Sequence, residues 1–429
     1  DLPDLIARRY IRVLTTINRT NFFLQDTLAH GFEYSLLKDY EKYLNNSLKD
    51  RKLKVVIEFI PVTRDQLIPG LLEGRGDIAA AGLTITPKRK NLVDFTRPYL
   101  SGIEELIVSH KSVDDISSVD SLSGHEVFVR ESSSYFESLV DLNQELEDKG
   151  LSHVDIVKAD EALETEDILE MVNTGALDIT VADSHLAEIW SKVFPDIRVH
   201  EDIVLRSGGR IAWMVRKDNP KLKESLNAFI KTREQGTLLG NIYFNRYYKN
   251  TKWLQNPLAT QTPELDKHFR KYGEQYGFDW LLLKALAFQE SGLDHKKKSP
   301  VGALGLMQIR PSTAMDDNVG ISNYKTPEGN IHAGTRYLAF LRDHYYSNPG
   351  ISERNRVRLA LAAYNAGPAK VRKARKLAER MNLNPSSWFR NVEVAMLRLV
   401  GYETVKYVSN INKYYILFHN ARKIEARRD

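Results

Sequence analysis

Cysteine is absent from the 429 residues. The chain therefore has no disulfide, no thiolate nucleophile and no cysteine-ligated zinc site. Long apolar runs are missing too: none reaches the ~20 residues that a membrane-spanning helix needs. There is no low-complexity tract and no repeat of short period. Strong charge bias is also lacking, since 61 Lys+Arg stand against 56 Asp+Glu, a net charge of +5. Such mild basicity suits an anionic polymer. No nucleic-acid-binding signature accompanies it, and no nucleic acid partner is expected. The glycine pair in GALG (302–305) lacks the preceding strand and the spacing of a dinucleotide fingerprint. No metal and no cofactor are expected.

What is present is an ordinary globular balance, 42% hydrophobic and 27% charged residues. The length exceeds one ordinary core, so two or three domains are expected. The chain opens on Asp1 instead of Met. The expectation is a processed N-terminus from which an export leader has been removed.

The first part alternates strands and helices. Strand patterns at 11–17, 53–60 and 77–85 flank helical patterns at 32–48 and 64–74. This order predicts a mostly parallel sheet with helices on its faces. After a strand at 100–109, a second unit repeats the alternation: strands at 125–130, 154–159 and 177–183, with helices at 134–150 and 164–175. A return strand at 209–217 and a helix at 221–234 follow. Two α/β lobes joined by two crossings make a hinged binding shape. The polar, proline-bearing stretch 250–264 reads as a linker. Beyond it the periods turn helical: 264–274, 279–290, 311–316, 329–346, 354–364, 368–381, 389–399 and 402–418. The domains are expected at 1–255, with the second lobe near 105–205, and at 256–429.

One acid stands out in the helical part. Glu290 follows LLLKALAF at the end of an apolar helix, with Asp279 placed to cap its start and Gly292 to end it. Leu283 and Leu286 share its face, so that face points inward. Burial and the negative end of the helix dipole both disfavour the anion. No basic residue stands four positions away on either side, where Leu286 and Asp294 are found. These conditions raise a carboxyl's pKa and suit a general acid. The competing reading is a structural carboxylate paired with an arginine from elsewhere. Lys296 to Lys298 read first as a solvated loop.

Three motifs follow in order: Glu290-Ser291, then SPVGALGLMQI (299–309), then AAYNAG (362–367), with YETVKYV (402–408) further on. This set resembles the family-1 lytic transglycosylases, whose catalytic domain is similar to goose-type lysozyme. The resemblance implies a helical domain in which Glu290 is the single acid/base. It implies that Ser299 lies near the reacting sugar and that Gly305, Leu306, Met307 and Gln308 line the cleft, Met307 as an apolar wall and Gln308 as a hydrogen-bonder. It places Tyr364 over the acid, with Asn365 beside it. Glu403 and Tyr407 match a late element that often carries an arginine where this chain has Val405. Met307 and Tyr364 taken alone fit core packing equally well. Such enzymes cut the glycan strands of peptidoglycan, between N-acetylmuramic acid and N-acetylglucosamine, without water, leaving a 1,6-anhydro end. Ordinary glycosidases need two carboxylates across the bond. Spacing alone leaves hydrolysis open.

AGLTITPKRKNLVDFTRPYL (81–100) and the two-lobed organisation resemble the amino-acid-binding proteins of ABC transporters. The resemblance implies that Thr84 and Arg89 grip an α-carboxylate, Arg89 with its planar fork. Ser133 and Ser134, at a helix start, hold the same group, although Ser132 stands where that family has glycine. Asp183 holds the α-amino group. A salt bridge for Arg89 and a helix cap for Asp183 are the plainer readings. Binding lobes followed by such a catalytic domain resemble a group of membrane-bound lytic transglycosylases. That implies residence in the periplasm, at the outer membrane surface, and control by a cell-wall peptide or amino acid. A sensor whose helical part only anchors it to the wall is the rival from another class.

Overall fold

The computed structural model describes residues 1–25, 28–48, 54–251, 254 and 262–428, without the side chains of 420 and 423–428. Its contacts divide the chain into two compact units, Asp1–Leu258 and Ala259–Asp429. The linker read over 250–264 falls largely outside the described residues.

The first unit holds two five-stranded sheets. Twelve strands follow in chain order: β1 Tyr10–Thr15, β2 Phe23–Gln25, β3 Leu28–His30, β4 Val56–Pro61, β5 Ile78–Ala79, β6 Asp94–Phe95, β7 Leu100–His110, β8 Glu126–Arg130, β9 Asp155–Ala159, β10 Ile179–Asp183, β11 Ile197–Ile211 and β12 Met214–Val215. The first sheet runs β4-β1-β5-β12-β6 and the second β11-β7-β10-β8-β9, with β2 and β3 as a separate pair. Strands β1, β4 and β5 are parallel, and so are β8, β9 and β10. Each sheet is thus mostly parallel, as expected, with one strand running against the other four. Strand β12 pairs antiparallel to β5 and β6, and β7 pairs antiparallel to β10 and β11. The reason is the crossings: a chain that returns to a lobe enters it against the direction of its strands. Strands β7 and β11 are those crossings, paired from Ile197–His110 to Ile211–Leu100 with several register shifts. A bulged two-stranded ribbon bends more readily than a flat one.

Apolar strand residues build the core on both faces of these sheets. Ile11, Val13, Ile57 and Phe59 pack with Phe32, Leu36 and Leu37 of the helix Phe32–Ser47. Val127, Val129, Ile179 and Val181 pack with Leu139, Leu142 and Leu146 of Ser134–Asp148. Ion pairs also cross between the lobes. Arg64 grips the Glu164 carboxylate through Nε and Nη2, at 3.0 and 2.7 Å from Oε2. Arg19 donates its backbone N–H to Glu166 at 2.6 Å and its guanidinium to Glu170 at 3.0 Å.

The second unit is helical. Helices span Pro263–Tyr276, Trp280–Ser291, Pro311–Ala314, Pro327–Tyr345, Glu353–Ala366, Pro368–Arg380, Glu393–Val400 and Tyr402–Arg428. Trp280–Ser291 is apolar on nearly every side, with Leu281, Leu283, Ala285, Leu286, Ala287 and Phe288 buried. A helix of that composition belongs in the centre. The helix expected at 389–399 is split: Phe389 and Arg390 leave helical geometry before Glu393 resumes it.

Candidate active site and ligand cleft

Glu290 sits in the last turn of the central helix. Asp279 caps the start, accepting the Leu281 N–H at 2.9 Å, and Gly292 ends the helix with φ 69°. The helix thus stops one residue beyond the acid. Burial lifts the Glu290 pKa to about 7. The Tyr407 hydroxyl, donating to Oε1 at 2.5 Å, and the Lys297 charge oppose that lift without cancelling it. No carboxylate and no arginine are among the groups that act on it. The pairing with an arginine weighed above is therefore not what is found. Oε1 is held by Tyr407, and Oε2 is the proton-donating candidate.

Lys296 to Lys298 are exposed, as read. The Lys297 ammonium also donates to the Glu290 carbonyl at 2.9 Å, at the negative end of the helix.

The glycine-rich loop closes on the acid from one side. Ser291 Oγ donates to Leu306 O at 2.8 Å and ties the helix end to this loop. Gly305 has φ 74°, and a Cβ there would stand 2.7 Å from the Asn330 side chain. Only glycine fits that turn. Asn330 accepts the Met307 N–H at 2.8 Å and donates to Leu304 O and Tyr324 O at 2.9 and 3.0 Å. It has no exposed surface. Asn330 was not foreseen; the available signal was a polar residue on the inward face of Pro327–Tyr345. Gln308 adopts φ 45°, and its Nε2 donates to Lys297 O at 3.1 Å and Gly305 O at 2.8 Å. A non-glycine residue in that region carries backbone strain.

The remaining expected residues divide between groove and scaffold. Leu306 and Met307 are fully buried. Met307 lies against Gly334 and Thr335, so its side chain is core and not an open wall. The Ser299 hydroxyl accepts the Ala303 N–H at 2.9 Å and stiffens the loop. Tyr364 donates to Met307 O at 2.8 Å and feels the Glu290 charge, which with burial raises its own pKa. Asn365 accepts from Thr404 Oγ1 at 2.7 Å, joining two helices beside the groove. Glu403 is exposed, on the turn next to Thr404. Glu290, Tyr364, Met307 and Tyr407 are thus brought together, while Glu403 shows no link to them.

In the first unit, Arg89, Thr84, Ser133, Ser134 and Asp183 line one interlobe cavity, with Asn21, Arg64, Gly82, Arg130, Tyr135, Thr165 and His185. Its free volume is about 30 Å³, so a ligand larger than a water must part the lobes to enter. Arg89 donates to Thr84 O at 2.8 Å and to Ser132 O at 2.7 Å, the second bond crossing between lobes. Burial depresses its pKa to about 10. Among the described residues no carboxylate bonds it, contrary to the salt bridge weighed above. Ser133 caps Ser134–Asp148, accepting the Phe136 N–H at 3.2 Å. Ser134 Oγ donates to Glu105 at 2.7 Å. Asp183 stands at the cap position of Ser184–Trp190 but makes no side-chain cap bond. Its Oδ1 is buried without a partner. Burial, then Glu105, push its pKa to about 7. Tyr135 and the charges of Arg206 and Arg64 oppose that rise, but a buried carboxylate oxygen left without a partner is the kind of group a ligand cation would satisfy.

Two family models match. "Bacterial extracellular solute-binding proteins, family 3" covers residues 11–249, and "Transglycosylase SLT domain" covers 267–385. Among solved structures, an ancestral arginine-binding protein bound to arginine is 26% identical, with TM-score 0.45, over 56% of this chain and 98% of that one. A membrane-bound lytic murein transglycosylase F of Desulfosudis oleivorans is 32% identical over 96% of this chain and 91% of its own length. One of Pseudomonas fluorescens is 31% identical over 94% and 84%. Another, of Pseudomonas putida, is 30% identical over the same shares. The fold therefore joins a solute-binding-like α/β unit to a helical transglycosylase domain. Among the described residues no helix is long and apolar enough to cross a membrane. This chain belongs to the family of membrane-bound lytic murein transglycosylases F and is a lytic transglycosylase enzyme.

Proposed function

We propose that this enzyme cuts the β-1,4 bond between N-acetylmuramic acid and N-acetylglucosamine in peptidoglycan strands, leaving a 1,6-anhydro end. The observation that carries this is Glu290: a part-buried carboxyl whose pKa is raised to about 7, with no second carboxylate among the described residues acting on it. The Glu290 proton passes from Oε2 to the glycosidic oxygen as the C1–O bond breaks. The carboxylate left behind keeps its bond from Tyr407. It then takes the proton of the muramic acid C6 hydroxyl, whose oxygen attacks C1. The acid is regenerated and no water enters. A muramidase would need a base to activate water. Mass analysis of sugars released from sacculi tests the proposal: anhydro ends support it, and reducing ends carrying one more water refute it.

The binding lobes serve as the regulatory half, taking an amino acid or cell-wall peptide by its α-carboxylate at Thr84, Arg89, Ser133 and Ser134 and its α-ammonium at Asp183. The unanswered Asp183 Oδ1 supports this reading. A ligand that prefers one lobe arrangement shifts the population toward it. The family name points to a membrane association, and the proposed site of action is the periplasm, against the outer membrane. Glycan cleavage measured with and without a bound muropeptide tests the regulation; equal rates would refute it.

A further inference from the structure

The interlobe cavity contains a charge that an α-amino-acid grip does not use. Arg130 closes β8 and is 2% exposed. Its Nη1 donates to Leu163 O at 2.7 Å and its Nη2 to Thr165 Oγ1 at 3.2 Å. Both acceptors are neutral. Its Nε–H is buried with no partner. Glu164 and Glu161 act on its charge from a distance without bonding it, and a native structure seldom leaves a buried donor unanswered.

The charges that line the cavity are Arg64, Arg89, Arg130 and Asp183. Arg64 is already gripped by Glu164. His185 adds no charge, because burial depresses its pKa to about 3. Glu105, behind Ser134, is answered by Arg206 at 2.6 Å. A bound zwitterion satisfies Arg89 with its carboxylate and Asp183 with its ammonium. Arg130 is then the cation still without an anion among the lining residues. We propose that the cavity selects amino acids with an anionic side chain, whose second carboxylate is received by the Arg130 guanidinium. This rests on the amino-acid reading above and names the ligand class within it. Such a ligand carries one net negative charge and gives Arg130 a bonded anion. A glutamine side chain offers Arg130 an acceptor but no charge. An arginine or lysine side chain meets like charge in a low-dielectric space.

The test is calorimetric titration of the full chain with L-glutamate, L-glutamine and L-arginine. Wild type should bind glutamate about tenfold or more tighter than glutamine, with arginine weakest, as expected for a charge-assisted bond replacing a neutral one. Arg130→Gln should lose that preference while its glutamine affinity stays within about threefold. Arg130→Lys keeps the charge, should keep a preference for glutamate, and serves if the glutamine variant fails to fold. Equal or tighter binding of glutamine or arginine by wild type overturns the inference, as does an Arg130 variant that weakens all three ligands alike. Arg89→Gln separates the two layers. If none of the three binds wild type, or if that variant binds as wild type does, the amino-acid reading falls and this inference with it.

Discussion

Replacing Glu290 with glutamine tests whether the acid is held against its own ionisation. The carboxyl's pKa rises from 4.5 to about 7, chiefly through burial. In the unfolded chain it loses its proton near 4.5, and in the folded chain near 7. Its stabilising contribution is therefore complete below pH 4.5 and is lost as the pH climbs to 7. At 1.36 kcal/mol per pH unit the loss is roughly 3 kcal/mol at most. Glu290 is only partly buried, and solvent brings the loss to about 1–3 kcal/mol. Glutamine has the same shape, accepts from Tyr407 through its carbonyl, and has no proton to lose. Its advantage over wild type should grow by that amount between pH 4 and pH 8. In a unit of this size that is ~2–4 °C of melting temperature for each kcal/mol. Scanning calorimetry at both pH values reads it directly. A wild-type-to-variant difference that stays constant with pH would show that Glu290 is an ordinary solvated carboxylate.

Other outcomes follow from the same contacts. Tyr407→Phe removes a hydrogen bond that favours the anion, so the alkaline limb of the activity profile should move to higher pH and turnover fall ~10-fold. Asn330→Ala leaves the buried Met307 N–H and two carbonyls unanswered, and urea unfolding should register a loss of about 2–4 kcal/mol. Gly305→Ala puts a Cβ 2.7 Å from Asn330 at φ 74°. It should lower activity more than it lowers the helical circular dichroism signal. Arg64→Ala strands Glu164 in a buried setting, and the first unit should lose about 3–5 kcal/mol, read as an earlier calorimetric transition.

Much of the architecture was legible because long elements carry their own period. The central helix was readable from apolar residues on all its sides, and its ends from Asp279 and Gly292. Strand β11 escaped because its inner stretch, HEDIVLRSGG, lies on an exposed ribbon and alternates poorly. The short pair β2 and β3 offers too few residues for any period. At the active site, Glu290 announced itself as a charge where none was wanted. Its supports did not. Lys297 comes seven residues later through an irregular loop, and Asn330 and Thr404 reach the site from other helices. Met307 was placed in the cleft by motif, whereas its thioether went to the core and only its carbonyl meets Tyr364. Asp183 looked like a helix cap; the fold turned its carboxylate toward the cavity instead.

The central claim is that one carboxyl both gives and retakes the proton. Its most direct measurement is the mass spectrum of sugars released from purified sacculi by wild type and by Glu290→Gln. The account predicts 1,6-anhydro-muramic ends from wild type and a loss of at least ~10³-fold in their release by the variant. Hydrated reducing ends from wild type, or undiminished release by the variant, would contradict it.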